Sequence, residues 1–281
     1  MNYDELLKRA RAVYLRGGEG AGAQAAEPFP AAPGVVLAPG EFVDRMTEAA
    51  FERSAKLHHP FAMRLGRGEW TKAQVREWAR QDYQRTLYAL RRHALIAANA
   101  ADYETIWGLI ARVKAEADAD PVGGTFFALP QLWLKFGIAL GLERHEMIES
   151  TPHPELRRAN EAMVDELRFS GAMPVLEFID AMLDPVFCRL WGEALARSLG
   201  LERESLDFFW AIAADRWGAE TGRAILEKWA GAGAAYGDSV SGDDIKGAQT
   251  ALWKRLAEEM KEGREWQRFS ILESLTESVA G

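Results

Sequence analysis

Apolar positions recur at helical spacing along almost the whole chain, and no stretch alternates apolar with polar residues for long enough to make a strand. Residues 2–16 place Leu6, Leu7, Ala10, Val13 and Tyr14 on one face and predict a first helix. A Gly-, Ala- and Pro-rich stretch from Gly17 to Gly40 reads as a loop or arm. It sets residues 1–40 apart from a helical domain over 41–281. In that domain Phe42, Met46, Ala49 and Ala50 share a helix face that runs towards His58-His59-Pro60. Thr71 and Gln74 have the spacing of a capping box, in which a hydroxyl and an amide satisfy two orphan backbone groups. The helix they open carries Val75, Trp78, Leu87, Leu90 and Leu95 and runs to about Asn99. Further helices are predicted over 103–118, 125–140, 155–169, 174–199, 204–230 and 243–262. Leu-Gly-Leu-Glu-Arg occurs twice, at 140–144 and 199–203. There the glycine can leave a helix in the left-handed conformation while the next leucine packs back on the last turn. The fold class is all-α.

Composition narrows the setting. With 48% hydrophobic and 27% charged residues the chain is an ordinary globular protein and not a disordered one. Its one cysteine, Cys188, excludes an intramolecular disulfide and suits a reducing cytoplasm. Asp4, Glu5, Lys8 and Arg9 interrupt any apolar leader, so no signal peptide is expected. Apolar runs such as Phe208 to Ala214 are too short to cross a bilayer. A formal charge of −8 disfavours nucleic-acid and anionic-membrane partners, leaving a small-molecule substrate as the expected partner. Ten tryptophans are enough to fill a core and also to line a pocket for a flat ligand.

Three segments occur in a telling order: Leu57-His-His-Pro-Phe61, Gly66-Arg-Gly-Glu-Trp70 and Trp78-Ala-Arg-Gln-Asp-Tyr83. Later come Gln131 to Leu142, Leu183-Asp-Pro-Val-Phe-Cys188 and Ala251-Leu-Trp253. Together they resemble the heme-oxygenase-like superfamily, and within it pyrroloquinoline-quinone synthase C and the TenA-like thiaminase II, over residues 41–262. The resemblance implies a heme-oxygenase-like bundle of about seven core helices around a central cavity, with the site built from facing helices. It also implies an oligomer, with a homodimer expected and the 17–40 arm a candidate interface.

The catalytic residues of those relatives carry over poorly. Lys56, Glu116 and Cys188 stand where the quinone synthase has histidines. Phe208 and Ile212 replace its Tyr and Arg pair, and Ala248 replaces its late lysine. Asp82 matches the thiaminase aspartate, but Pro185 and Gln249 fall near its cysteine and its late glutamate. A third branch of the superfamily binds two irons. Glu116, Asp118, Asp120, Asp184 and Asp215 could offer oxygen ligands, yet the chain has no Glu-x-x-His pair and no histidine in 204–230.

The candidate catalytic residues are therefore Asp82, Glu116, His59 and Cys188, each with a plainer alternative: a surface acid, a solvated helix end, a capping histidine and a small buried hydrophobe. Lys56 or Arg216 could hold a substrate acid, with Tyr83, Phe208 and Trp217 against a planar ligand. Three functions remain open. The first is a cofactor-free oxidoreductase of small-molecule metabolism acting on a ring-containing substrate. The second is an iron-dependent oxygenase, and the third a carrier that keeps the cavity without catalysis.

Overall fold

The computed structural model describes residues 2–16, 29–100, 102–117, 129–169, 173–232 and 244–279. Among these residues there are fourteen α-helices and no strand. None of the helices is long and apolar enough to cross a membrane. The first helix, α1 (Tyr3–Arg16), is followed by α2 (Pro39–Arg53) and two short helices, α3 (Ala55–His58) and α4 (Pro60–Arg67). The break between the short ones has a local cause. His59 caps α4 with its ring, accepting from Phe61 N at 3.1 Å, and Pro60 occupies the first helical position, where its missing N–H costs nothing.

Two long helices organise the rest, α5 (Lys72–Asn99) and α10 (Met173–Leu199). The capping box at Thr71 and Gln74 is formed as its spacing predicts. Around α5 pack α6 (Tyr103–Ala117), α7 (Leu129–Ala139), α8 (Arg144–Ile148), α9 (Pro154–Phe169) and α14 (Arg264–Glu277). Around α10 pack α1, α2, α4, α11 (Asp207–Ala214), α12 (Arg223–Ala232) and α13 (Ile245–Glu262). The aromatic core lies where the two groups meet. Trp78 meets Phe61, Trp133, Phe136 and Trp191 edge-on, and the Trp133 indole donates to Ala79 O at 2.8 Å. Each such ring removes about 150–250 Å² from water, roughly 4–6 kcal/mol of gross transfer energy.

Helix α1 is part of this core. Tyr14 lies flat on Gly66, where a Cβ would sit 2.1 Å from the ring; its hydroxyl donates to Lys56 O at 2.5 Å and accepts from Trp191 Nε1 at 3.2 Å. Residues 29–38 also pack on the body, since Gln249 bonds both backbone groups of Leu37 and Trp253 donates to Pro30 O. The remainder of the predicted arm, 17–28, lies outside the described residues.

The repeated Leu-Gly-Leu step ends helices at both places, with Gly141 at φ 89° and Gly200 at φ 62°. The predicted helix over 204–230 is corrected by the structure. It opens as a short 3₁₀ turn (Arg203–Leu206), runs through α11, and breaks at Asp215, whose carboxylate accepts from Trp217 N at 2.9 Å and so restarts the chain. A π-turn (Gly218–Gly222) then leads into α12. That turn fits a defect in α10. Pro185 has no N–H to give Ala181 O. Gly218 approaches the same carbonyl so closely that a Cβ would lie 2.2 Å from it.

Candidate functional site

A cavity of about 100 Å³ lies between α5 and α10. From α5, Asp82, Arg85, Thr86, Ala89, Arg92 and His93 line it at steps of three and four residues, one helix face. From α10 come Glu177, Asp180, Ala181 and Asp184 at the same steps. Arg112 of α6 and Asp215 close one side, and Trp133 of α7 with Phe208 of α11 supplies an aromatic wall. These two rings meet edge-on with centroids 4.6 Å apart.

The electrostatics centre on Lys56. Its side chain is 2% exposed, and its Nζ lies 2.7 Å from Asp184, 3.1 Å from Asp180 and 3.4 Å from Glu265. Burial disfavours the charge on the lysine, but the three carboxylates outweigh burial and hold it charged well above the usual lysine range. The two aspartates then part company. For Asp184, burial is overcome by Lys56, Arg85 and Arg92, and its carboxyl stays below the usual range. For Asp180, burial dominates and Glu265, Asp184 and Glu177 add repulsion that Lys56 only partly offsets, so its carboxyl is pushed up to about 7. Their side chains are 29% and 31% exposed, and that surface faces the cavity.

Asp82, a predicted catalytic residue, is buried and lines the cavity, with both oxygens 2.5 Å from Arg268 Nη2 and one accepting from Trp78 Nε1 at 3.2 Å. Phe208 lines the cavity, whereas Trp217 does not and lies against Phe178 and His93, under the Arg112 guanidinium. The other predicted residues lie elsewhere. His59 is the cap of α4; because its Nδ1 accepts from the backbone, its Nε2 carries the proton to Ser270 Oγ at 3.0 Å, and burial lowers its pKa to about 4. Cys188 is buried one turn beyond Asp184, and burial raises its thiol, with the Asp184 charge adding to the rise. Tyr83 is buried off the cavity and Arg216 is exposed over the Tyr3 ring. Lys56 works through the aspartates and is not itself a lining residue. Glu116 sits in the last turn of α6 with its side chain outside the described residues, as are Asp118 and Asp120 altogether.

Arg85, Arg92, Arg112, Glu177 and Asp180 are site residues that the sequence patterns did not single out. A signal was present. Glu177, Asp180 and Asp184 repeat at helical spacing inside a stretch otherwise as apolar as Phe178, Ile179, Met182 and Leu183. Glu177, Asp180 and Asp184 do not make an iron site by themselves, and the expected ligands Glu116, Asp118 and Asp120 have side chains outside the described residues. Among the described residues no three His, Cys, Asp or Glu side chains gather as a metal would need, and the acids that come nearest to doing so already enclose an ammonium group.

No curated protein matches this sequence. A solved structure does match in fold: a domain of unknown function with a heme oxygenase-like fold from Shewanella denitrificans OS217, at a TM-score of 0.56 and 16% identity, over 83% of this chain and 90% of that one. The helical bundle around a cavity is thus heme-oxygenase-like, as the order of segments implies. A family model, TENA/THI-4/PQQC, matches residues 47–188, from α2 to the middle of α10, and so takes in both walls of the cavity. That match spans half of the sequence, and this chain belongs to the TENA/THI-4/PQQC family.

Proposed function

We propose that this chain is an enzyme of small-molecule metabolism that moves a proton on a small ring-containing metabolite held between α5 and α10. Asp180 is the proton-transfer group. Family membership supports the coarse statement. The observation that carries the finer one is the pair Asp180 and Asp184, one helical turn apart on the cavity wall and sharing Lys56, yet driven to opposite sides of the usual carboxylate range. Carboxylates separated in this way can divide acid and base roles at neutral pH. Loss of a ring proton opens both ring rearrangement and ring oxidation. An oxidoreductase would then pass the ring's electron pair to a dissolved acceptor such as dioxygen.

Size limits the substrate. A void of about 150 Å³ takes benzene, and this cavity is about 100 Å³. A ligand of about one ring is the size that the cavity matches best. The test is to incubate the purified protein and Asp180→Asn with a polar metabolite extract and follow small ring compounds by mass spectrometry. Wild type should consume one such compound, which Asp180→Asn retains unconsumed. A compound that wild type binds and returns unchanged would establish a carrier and end the catalytic reading.

A further inference from the structure

Arg92 is 8% exposed, with its Nε 2.5 Å from Glu177 Oε1. Its Nη1 is closed off from solvent and has no hydrogen-bond partner among the described residues, although the side chain lines the cavity. A guanidinium does not shed its proton, so an orphaned N–H of this kind is satisfied only by an acceptor that comes to it. Arg85, two turns earlier on the same face, makes no hydrogen bond or ion pair among the described residues, though it feels the fields of Asp82, Asp184, Glu265 and Asp180. Arg112 reaches the same cavity from α6, with Nη1 2.5 Å from Asp215 and its plane 5.2 Å over Trp217. Guanidinium groups therefore face the cavity from one side, and the Trp133 and Phe208 rings form an apolar wall to it.

We propose that Arg92 and Arg85, with Arg112 beside them, form a carboxylate-binding subsite, so that the ligand of this cavity is a small ring bearing a single carboxylate. The inference rests on reading the cavity as the substrate site and names the class of substrate it takes. Guanidinium forks suit carboxylate and phosphate alike. Charge decides between them. Once Asp180 is ionised, above about pH 7, Lys56, Arg85, Arg92, Arg112 and Arg268 are outnumbered by Asp82, Glu177, Asp180, Asp184, Asp215 and Glu265 at and around the cavity. A dianion would meet that excess twice over, whereas one negative charge is matched by Arg85, the guanidinium with no ion pair among the described residues.

The probes are benzoate, its neutral isostere benzamide, and inorganic phosphate, titrated calorimetrically into the full chain at pH 8, where phosphate is mostly a dianion and Asp180 is ionised. Wild type should bind benzoate more tightly than benzamide by about tenfold to a hundredfold, the worth of a charge-assisted hydrogen bond, and phosphate less well than benzoate. Arg92→Gln should lose most of that preference. Arg85→Gln is the companion variant, because this side chain makes no hydrogen bond or ion pair among the described residues and its removal breaks none of them, and it too should reduce the preference. Equal binding of benzoate and benzamide by wild type, absence of saturable benzoate binding, or an unchanged preference in Arg85→Gln would overturn the subsite. Tighter binding of phosphate than of benzoate would overturn the choice of carboxylate. Turnover that depends on Asp180 without any preference for carboxylates would sink the subsite alone. A clear preference without turnover in metabolite extract would leave the subsite standing and count against catalysis.

Discussion

Replacing Asp180 by asparagine removes one ionisable group and keeps its shape, and the effect on stability depends on pH in a way that offsets from packing cannot imitate. Below about pH 4 the Asp180 carboxyl is protonated in folded and unfolded chains alike. From there to about 7 the folded protein holds a proton that the unfolded chain has shed, because burial and the neighbours Glu265, Asp184 and Glu177 disfavour the charge more than Lys56 and Arg85 favour it. A raised folded pKa gives stability that is fully present below the unfolded value and lost as pH rises to the folded one. Wild type therefore loses about 1.4 kcal/mol per pH unit from this group, or roughly 4 kcal/mol across the window. Asp180→Asn has no such loss. An unfolding entropy of about 0.6 kcal/mol/K for a chain of 281 residues turns this into a change of about 7 °C in the gap between the two melting temperatures. The assay is thermal unfolding of both proteins by circular dichroism from pH 4.5 to 8. Whatever the offset between the two proteins at the acid end, the relative stability of Asp180→Asn must rise towards neutrality. Parallel curves would refute the electrostatic account of Asp180, and the catalytic assignment with it.

Two other perturbations test the frame around that group. Lys56→Met leaves the carboxylates of Asp184, Asp180 and Glu265 without their central cation and should cost about 3–5 kcal/mol at pH 8, measured by urea unfolding. The penalty should shrink towards pH 5, where the orphaned acids can take up protons; a penalty independent of pH would contradict it. Gly218→Ala drives a methyl group into Ala181 O, 2.2 Å from the built Cβ, and should lower stability by about 1–3 kcal/mol while disturbing the cavity wall. An unaltered melting curve would mean that the close approach is not needed.

The fold was legible because helix ends announce themselves locally. Thr71 with Gln74, His59 with Pro60, and the glycines at 141 and 200 each act within a few residues of the backbone they govern. Helix α14 was missed, since the predicted helices stop at 262 while the chain turns at Gly263, φ 62°, and starts again at once. That omission mattered, because α14 brings Glu265 to Lys56 and Arg268 to Asp82. Of the site, Asp82 and Phe208 were legible as polar and aromatic positions on core helices. The basic wall was not. An arginine at a helical step reads as solvent-facing unless the opposite wall is known, and the acids facing Arg92 lie on α10, more than eighty residues away in sequence. Which charges survive burial is settled by pairs of that range, and periodicity carries no record of them.

The missing N–H of Pro185 also has a mechanical meaning. A helix is stiff because each turn is tied to the next, and α10 lacks the tie between Ala181 and residue 185. One missing tie in an otherwise continuous helix is a point of lower stiffness, and it falls between Asp180 on one side and Cys188 on the other, with Asp184 beside it. The π-turn at Gly218 is wedged against this point, three residues after Asp215, which grips Arg112. Arg112, Asp215, Gly218 and Ala181 thus form a continuous line of contacts from the cavity to the weak point of the helix that carries Asp180. The most compliant turn of the long helix is therefore the one that borders the cavity.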